Sequence, residues 1–269
     1  MSPAAAIVCA RHTFSSHKAD RAVRADMQRM SDRMMRGPVA LVGSGEFLPV
    51  MEDVDRALLD GRSQRVVFLP TAAAPEGSDR VEYWVQLGLE HYRRLGVESE
   101  ALLVLDKSDA DRTDLAERVA GAGLIYLSGG DPTYLTVTLR DSEVWGAIRA
   151  AFESGAALAG CSAGAIALSA FVRERFTLEA PLKPALGVVP NLAVLPHFDR
   201  LMHFAPQLAD AVSRQLPDGV QLVGVDEDTA IVGGPHRWQV MGKQRAWLFR
   251  GDVEPLAYEA GSAIDLDLG

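Results

Sequence analysis

The chain has 269 residues, 48% of them hydrophobic, enough to bury a large core in one α/β domain. A net charge of -9 and the absence of a long Lys/Arg cluster argue against nucleic acid or an anionic membrane as its main partner. No apolar stretch reaches the roughly 18 residues of a membrane helix, and the start from Met1 to Cys9 lacks a basic segment followed by a long apolar core. A cytoplasmic location is expected on those grounds, and the two cysteines, Cys9 and Cys161, argue against a disulfide framework.

Residues 1–36 are rich in Arg, Ser, Met and His without a sustained strand pattern, and are expected to be a disordered extension ahead of a single domain over 37–269. From there, apolar β-rich runs at 39–42, 66–69, 102–105 and 124–127 alternate with amphipathic segments at 51–60, 81–95 and 114–120. Such alternation predicts a parallel sheet, with ligands gathered beyond the carboxyl ends of its strands.

At the end of the fourth run stands Ser128-Gly129-Gly130-Asp131-Pro132-Thr133, followed by a helical 134–140. Two glycines let the backbone come close to a ligand, and Asp131 before Pro132 suits a helix N-cap with proline in the first turn. The segment reads equally as a tight strand-to-helix turn or as a place where a Gly129 or Gly130 amide donates to an oxyanion.

Ala156-Ala157-Leu158-Ala159 then leads into Gly160-Cys161-Ser162-Ala163-Gly164 and a helix-prone Ala165-Ile166-Ala167-Leu168. The five-residue G-x-S-x-G pattern alone is common. Here it falls where a strand must turn sharply into a helix, and small residues two positions either side of the apex keep the two from colliding. Ser162 is therefore a candidate nucleophile, with the Ala163 amide as a second oxyanion donor. Cys161, a rival by chemistry, precedes the apex and reads as a buried small hydrophobe.

A serine hydroxyl needs a base. Of six histidines, His12 and His17 fall in the N-terminal extension, His91 inside an amphipathic helix and His236 in a turn-like Gly-Gly-Pro-His run. His197 follows the strand-like Val194-Leu195-Pro196 and stands on a loop, where catalytic groups are commonly mounted; it is the expected base, with His203 the alternative. The acid that orients the imidazole is sought in Asp226-Glu227-Asp228, directly after the strand-like 222–225: Glu227 first, Asp226 second, with Glu179 a further alternative between serine and histidine. From Gln221 onward, short strands with turns near Gly234 and Gly242 predict the edge of a mixed sheet. Arg173, Arg175 and Arg200 are cations of a kind that binds carboxylates, although a solvated helix face describes each as well.

Six segments in this order resemble a known family. They are Leu41-Val42-Gly43-Ser44-Gly45-Glu46-Phe47, Leu69-Pro70-Thr71-Ala72-Ala73, Ser128-Gly129-Gly130-Asp131, Ala159-Gly160-Cys161-Ser162-Ala163-Gly164-Ala165, Pro196-His197-Phe198 and Val225-Asp226-Glu227-Asp228-Thr229-Ala230. Together they are similar to the serine peptidases that include dipeptidase E and cyanophycinase, which share an architecture with class I glutamine amidotransferases. The resemblance covers nearly all of the chain from Gly37. It implies a three-layer α/β fold, a mostly parallel sheet with helices on both faces and a nucleophile elbow. It also implies a Ser162 nucleophile, a His197 base and an acid at or near Glu227, with Glu179 kept as the alternative.

The family hydrolyses unusual peptide links beside aspartyl groups, α-aspartyl dipeptides in one branch and β-aspartyl-arginine links in another. Where similar chains often carry Asn or Gln near the glycine pair, this one has Asp131-Pro132, and an acidic Asp131 repels a substrate carboxylate unless it serves as a cap. Asp131 and Arg200 are the expected substrate-binding positions. The expected function is a serine hydrolase that cleaves a small peptide or isopeptide through an acyl-enzyme, with Gly130 and Ala163 amides on the oxyanion and no metal or organic cofactor. Two other classes stay open: a glutamine amidotransferase-like domain using Cys161 or Ser162, and a non-catalytic small-molecule-binding homologue. A homo-oligomer is compatible with the sequence, which shows no interface for one.

Overall fold

The computed structural model describes residues 37–173, 180–205, 207–234, 237–250 and 254–266. The expected N-terminal extension, Arg175, Glu179 and His236 lie outside the described residues.

Strands β1 (Val39–Val42), β2 (Arg65–Leu69), β3 (Glu98–Ala101), β4 (Leu124–Leu127) and β5 (Ala157–Cys161) pair side by side in the order β1-β5-β4-β2-β3, all parallel. Next, β6 (Phe171–Arg173) and β7 (Leu182–Pro184) form a small antiparallel ribbon. β8 (Leu192–Leu195) and β9 (Gln221–Val225) run parallel in a second sheet. The chain then returns to the main sheet, where β10 (Thr229–Gly234) pairs antiparallel with β1 and β11 (Arg237–Gly242) pairs with β10. β12 (Arg245–Phe249) and β13 (Leu256–Glu259) complete the second sheet beside β9, and β14 (Ala263–Ile264) edges the main one.

A strand covered on both faces must be apolar at every position rather than at alternate ones, and β1, β4 and β5 are buried throughout. Their side chains divide by parity. Val39, Leu41, Ile125, Leu127 and Leu158 meet Leu139, Ile148 and Phe152 from helices Pro132–Leu139 and Glu143–Glu153. Ala40, Val42, Leu124, Tyr126 and Cys161 meet Val54 and Leu58 of helix Glu52–Leu59, and Tyr92 and Leu95 of helix Ser78–Leu95. The result is the expected α/β three-layer arrangement. On the second face, His91 is fully buried and bonds Asp55 at 2.7 Å, so it is a structural histidine. Burial raises the Asp55 pKa, opposed by that bond.

Two expectations need correction. The run 102–105 is not the third strand; β3 lies just before it, and its residues Glu98, Ser99 and Glu100 carry no apolar signal. As an edge strand β3 can be polar: Glu100 pairs with Arg65 at 2.6 Å, while Leu102 and Val104 sink into the core beyond the strand end. The segment from Gln221 is not simply an edge of the main sheet, because β9, β12 and β13 join β8 in a separate sheet. Alternating burial along β11 and β12 suits either sheet, so periodicity does not reveal that partition. Among the described residues, no helix is long and apolar enough to cross a membrane.

Candidate active site

β5 ends at Cys161, and Ser162 makes the turn into helix Ala163–Leu168 with φ 49 and ψ -106, a backbone setting that a residue with a side chain rarely holds. The crowding that requires small neighbours is explicit. A Cβ on Gly160 would stand 2.4 Å from the backbone of Gly164, and one on Gly164 would stand 2.1 Å from the Leu127 carbonyl oxygen. Ser162 Oγ is thereby lifted clear of the sheet and lies 3.0 Å from His197 Nε2.

His197 follows β8 by two residues and takes a left-handed conformation, φ 50 and ψ 38, at the start of helix Phe198–Phe204. Its Nδ1 is 2.9 Å from Glu227 Oε1. Glu227 stands in the turn by which the chain passes from β9 in the second sheet to β10 in the first. That turn is held on several sides. The Glu227 amide donates to Asp199 Oδ1 at 2.9 Å, and its carbonyl accepts from Thr229 Oγ1 at 3.0 Å and from Gln244 Nε2 at 2.9 Å.

Asp226 points to a different partner: Trp247 Nε1 donates to its Oδ1 at 2.9 Å. Burial, with the Asp199 charge adding and the indole bond opposing, raises the Asp226 pKa to about 6. Arg200, expected at the substrate, is turned toward Glu227. Its Nε lies 2.8 Å from Glu227 Oε2. Asp131 caps helix Pro132–Leu139 by accepting the Tyr134 amide at 2.9 Å, so its carboxylate is held by the helix rather than offered to a substrate. His203 is exposed, and Arg173 is buried away from the cleft.

The oxyanion donors expected after β4 separate into two cases. Gly129 donates its amide to Glu46 Oε1 at 2.9 Å and is occupied. Gly130, at φ 139, lines a cleft of about 280 Å³ together with Ser162 and His197. The Ala163 amide opens a helix, where the first N–H groups have no partner within the helix. Cys161 is fully buried and donates to Glu46 Oε2 at 2.7 Å. Burial first, then the Glu46 charge, pushes its thiol pKa well up, so it is a protonated donor.

Glu46, Asp199 and Gln244 were not singled out from the sequence as site residues. Only the Glu46 segment left a trace, as part of the first of the six matching stretches. The family model for peptidase family S51 matches residues 39–239. The chain belongs to peptidase family S51. Among similar proteins, a cyanophycinase of Synechococcus elongatus is 32% identical over 164 residues, covering 58% of this chain and 50% of that protein. An uncharacterized peptidase of Pasteurella multocida is 27% identical over 190 residues, covering 65% of this chain and 88% of that one. The chain thus spans about half the length of the cyanophycinase it matches. Among solved structures, a peptidase from an acI-B1 Actinobacterium superposes with TM-score 0.78 at 37% identity, over 88% of this chain and 100% of that one. A putative peptidase E of Listeria monocytogenes shares the fold, with TM-score 0.54 at 18% identity over 84% of this chain and 99% of that one.

Proposed function

We propose that this family S51 member is a serine hydrolase that cleaves a small peptide or isopeptide through an acyl-enzyme. The observation that carries the reading is the unbroken chain of short contacts from Ser162 Oγ through His197 to Glu227, at 3.0 and 2.9 Å. In this reading His197 Nε2 takes the Ser162 proton as Oγ attacks the scissile carbonyl carbon. The carbonyl oxygen becomes an oxyanion facing the Gly130 and Ala163 amides. Collapse breaks the C–N bond, and the imidazolium returns its proton to the departing amine. Water then attacks the ester with the same base, releasing the acid and restoring Ser162. Glu227 holds the Nδ1 proton and supports the positive imidazole.

The cleft is small, which favours short substrates, and Arg80 is the cation on its described lining, packed 5.2 Å and 5.3 Å from the ring centres of Tyr83 and Trp84. Arg80 also pairs through Nε with Glu76 at 3.3 Å, and a guanidinium there can meet a substrate carboxylate through its terminal nitrogens, in keeping with an aspartyl residue beside the scissile bond. The amidotransferase reading through Cys161 is disfavoured by a thiol that is buried, protonated and bonded to Glu46.

A hydrolysis screen over α- and β-aspartyl dipeptides and unrelated dipeptides tests the proposal. Ser162→Ala is expected to lower the rate by about 10³-fold or more. Hydrolysis unchanged in that variant ends the hydrolase reading, and activity confined to non-aspartyl substrates ends the aspartyl assignment.

A further inference from the structure

We infer that Glu46 is a positioning residue for this reaction, its carboxylate tying the glycine loop of the oxyanion site to the nucleophile elbow. The inference rests on the hydrolase reading above. Glu46 follows β1, is 5% exposed, and lines the same cleft as Ser162. Its two oxygens have different partners: Oε1 accepts the Gly129 amide at 2.9 Å and Oε2 accepts the Cys161 thiol at 2.7 Å. The residue before the nucleophile and the residue before the oxyanion donor are thus held by one side chain.

The placement is close. A Cβ on Gly129 would lie 2.9 Å from Glu46 Oε1, so a side chain at 129 would push the Glu46 carboxylate from its place, and 3.5 Å from Ser162 Cβ, so the loop lies in contact range of the nucleophile. On the far side of Gly130, the Asp131 amide donates to the Ala72 carbonyl at 2.8 Å. Gly130 is therefore a single residue between two anchored amides, one fastened by Glu46 and one by Ala72. An oxyanion donor must be fixed before the reaction, because its contribution falls steeply when it is free to drift. Burying a carboxylate is costly, and an apolar side chain would fill the same space, so a residue that only packed would not need this chemistry.

Glutamine at position 46 keeps one acceptor oxygen and turns an NH2 group toward a donor, so one of the two bonds survives. The test is the second-order rate at which a fluorophosphonate labels Ser162 in the full chain, measured across pH beside the melting temperature. Glu46→Gln is expected to slow labelling on the order of tenfold to a hundredfold, and Glu46→Ala further. The pH midpoint of labelling stays at the wild-type value, and Glu46→Gln melts lower than wild type by the cost of one lost buried bond while remaining fully folded at the assay temperature. Wild-type labelling speed in Glu46→Gln, a slowing matched by loss of folded protein, or a moved pH midpoint overturns the inference and leaves the hydrolase reading standing. Wild-type protein that does not label, or Ser162→Ala that labels as well as wild type, overturns both.

Discussion

At the scale of single residues, the candidate triad was legible because each member stands just beyond an apolar run. Ser162 follows β5, His197 follows β8 and Glu227 follows β9. The sequence ranked Glu227 ahead of Asp226, but the partners of neighbours in a turn are decided by tertiary contacts, which turn Glu227 to His197 and Asp226 to Trp247. Those contacts give the two acids separable behaviour. Glu227→Gln removes the negative charge that supports a positive His197 and brings an amide NH2 that can turn toward Nδ1 and favour the wrong tautomer, so a fall in kcat on the order of 10³- to 10⁴-fold is expected. Asp226→Asn keeps an oxygen for the Trp247 indole and is expected to leave kcat within about twofold. Its effect is on stability. An aspartate with its pKa raised to about 6 in the fold, against an ordinary 3.8, releases its proton more readily when unfolded, so the native state weakens as pH rises between those values. Asp226→Asn should therefore melt higher than wild type at pH 7.5 and level with it below about pH 4. A melting difference that does not change with pH would remove this account. Glu46 shows the opposite limit of legibility: its partners lie 83 and 115 residues away, and a lone carboxylate in a glycine-rich loop has no periodicity to betray them.

At the scale of elements, the parallel core was readable because burial on both faces leaves an uninterrupted apolar run, as in β1, β4 and β5. β3 was missed for the same physical reason, as an edge strand satisfied by Arg65 and Arg118 need not be apolar. The elbow is the element most tightly specified by sequence. Its strand and helix touch through Gly160 and Gly164, and Gly164 also lies against the backbone of β4. Gly164→Ala is expected to destabilise the protein by about 3 kcal/mol, because the methyl meets a carbonyl rather than a side chain that can swing aside. Chemical denaturation checks the value, and a cost below about 0.5 kcal/mol would mean that the helix moves off the strand freely. Gly146, on an open face of helix Glu143–Glu153 where a Cβ meets nothing within 4 Å, is the matched control and should gain slightly from alanine.

At the scale of the molecule, the main sheet supplies Ser162, the second sheet supplies His197, and Glu227 stands on the crossing between them. One apolar cluster runs through both, from Leu41 and Leu127 to Val223 and Leu248. Gly43 marks the joint, since a Cβ there would stand 2.1 Å from the Asp226 carbonyl. Periodicity does not say which sheet a strand will join, so this division of the site was outside the reach of sequence. It has a measurable result. In increasing urea, fluorophosphonate labelling of Ser162 should fail before far-ultraviolet circular dichroism changes, because a small slip between sheets breaks the 3.0 Å contact while each sheet keeps its ladders. Coincident loss of both signals would mean that the sheets part only on global unfolding.

A serine whose base rides on another sheet is armed only while the two are in register. In the proposed reading, a molecule whose sheets have slipped carries Ser162 with no base beside it. Dividing the candidate triad in this way couples, in that reading, the reactivity of the Ser162 hydroxyl to the register of the two sheets.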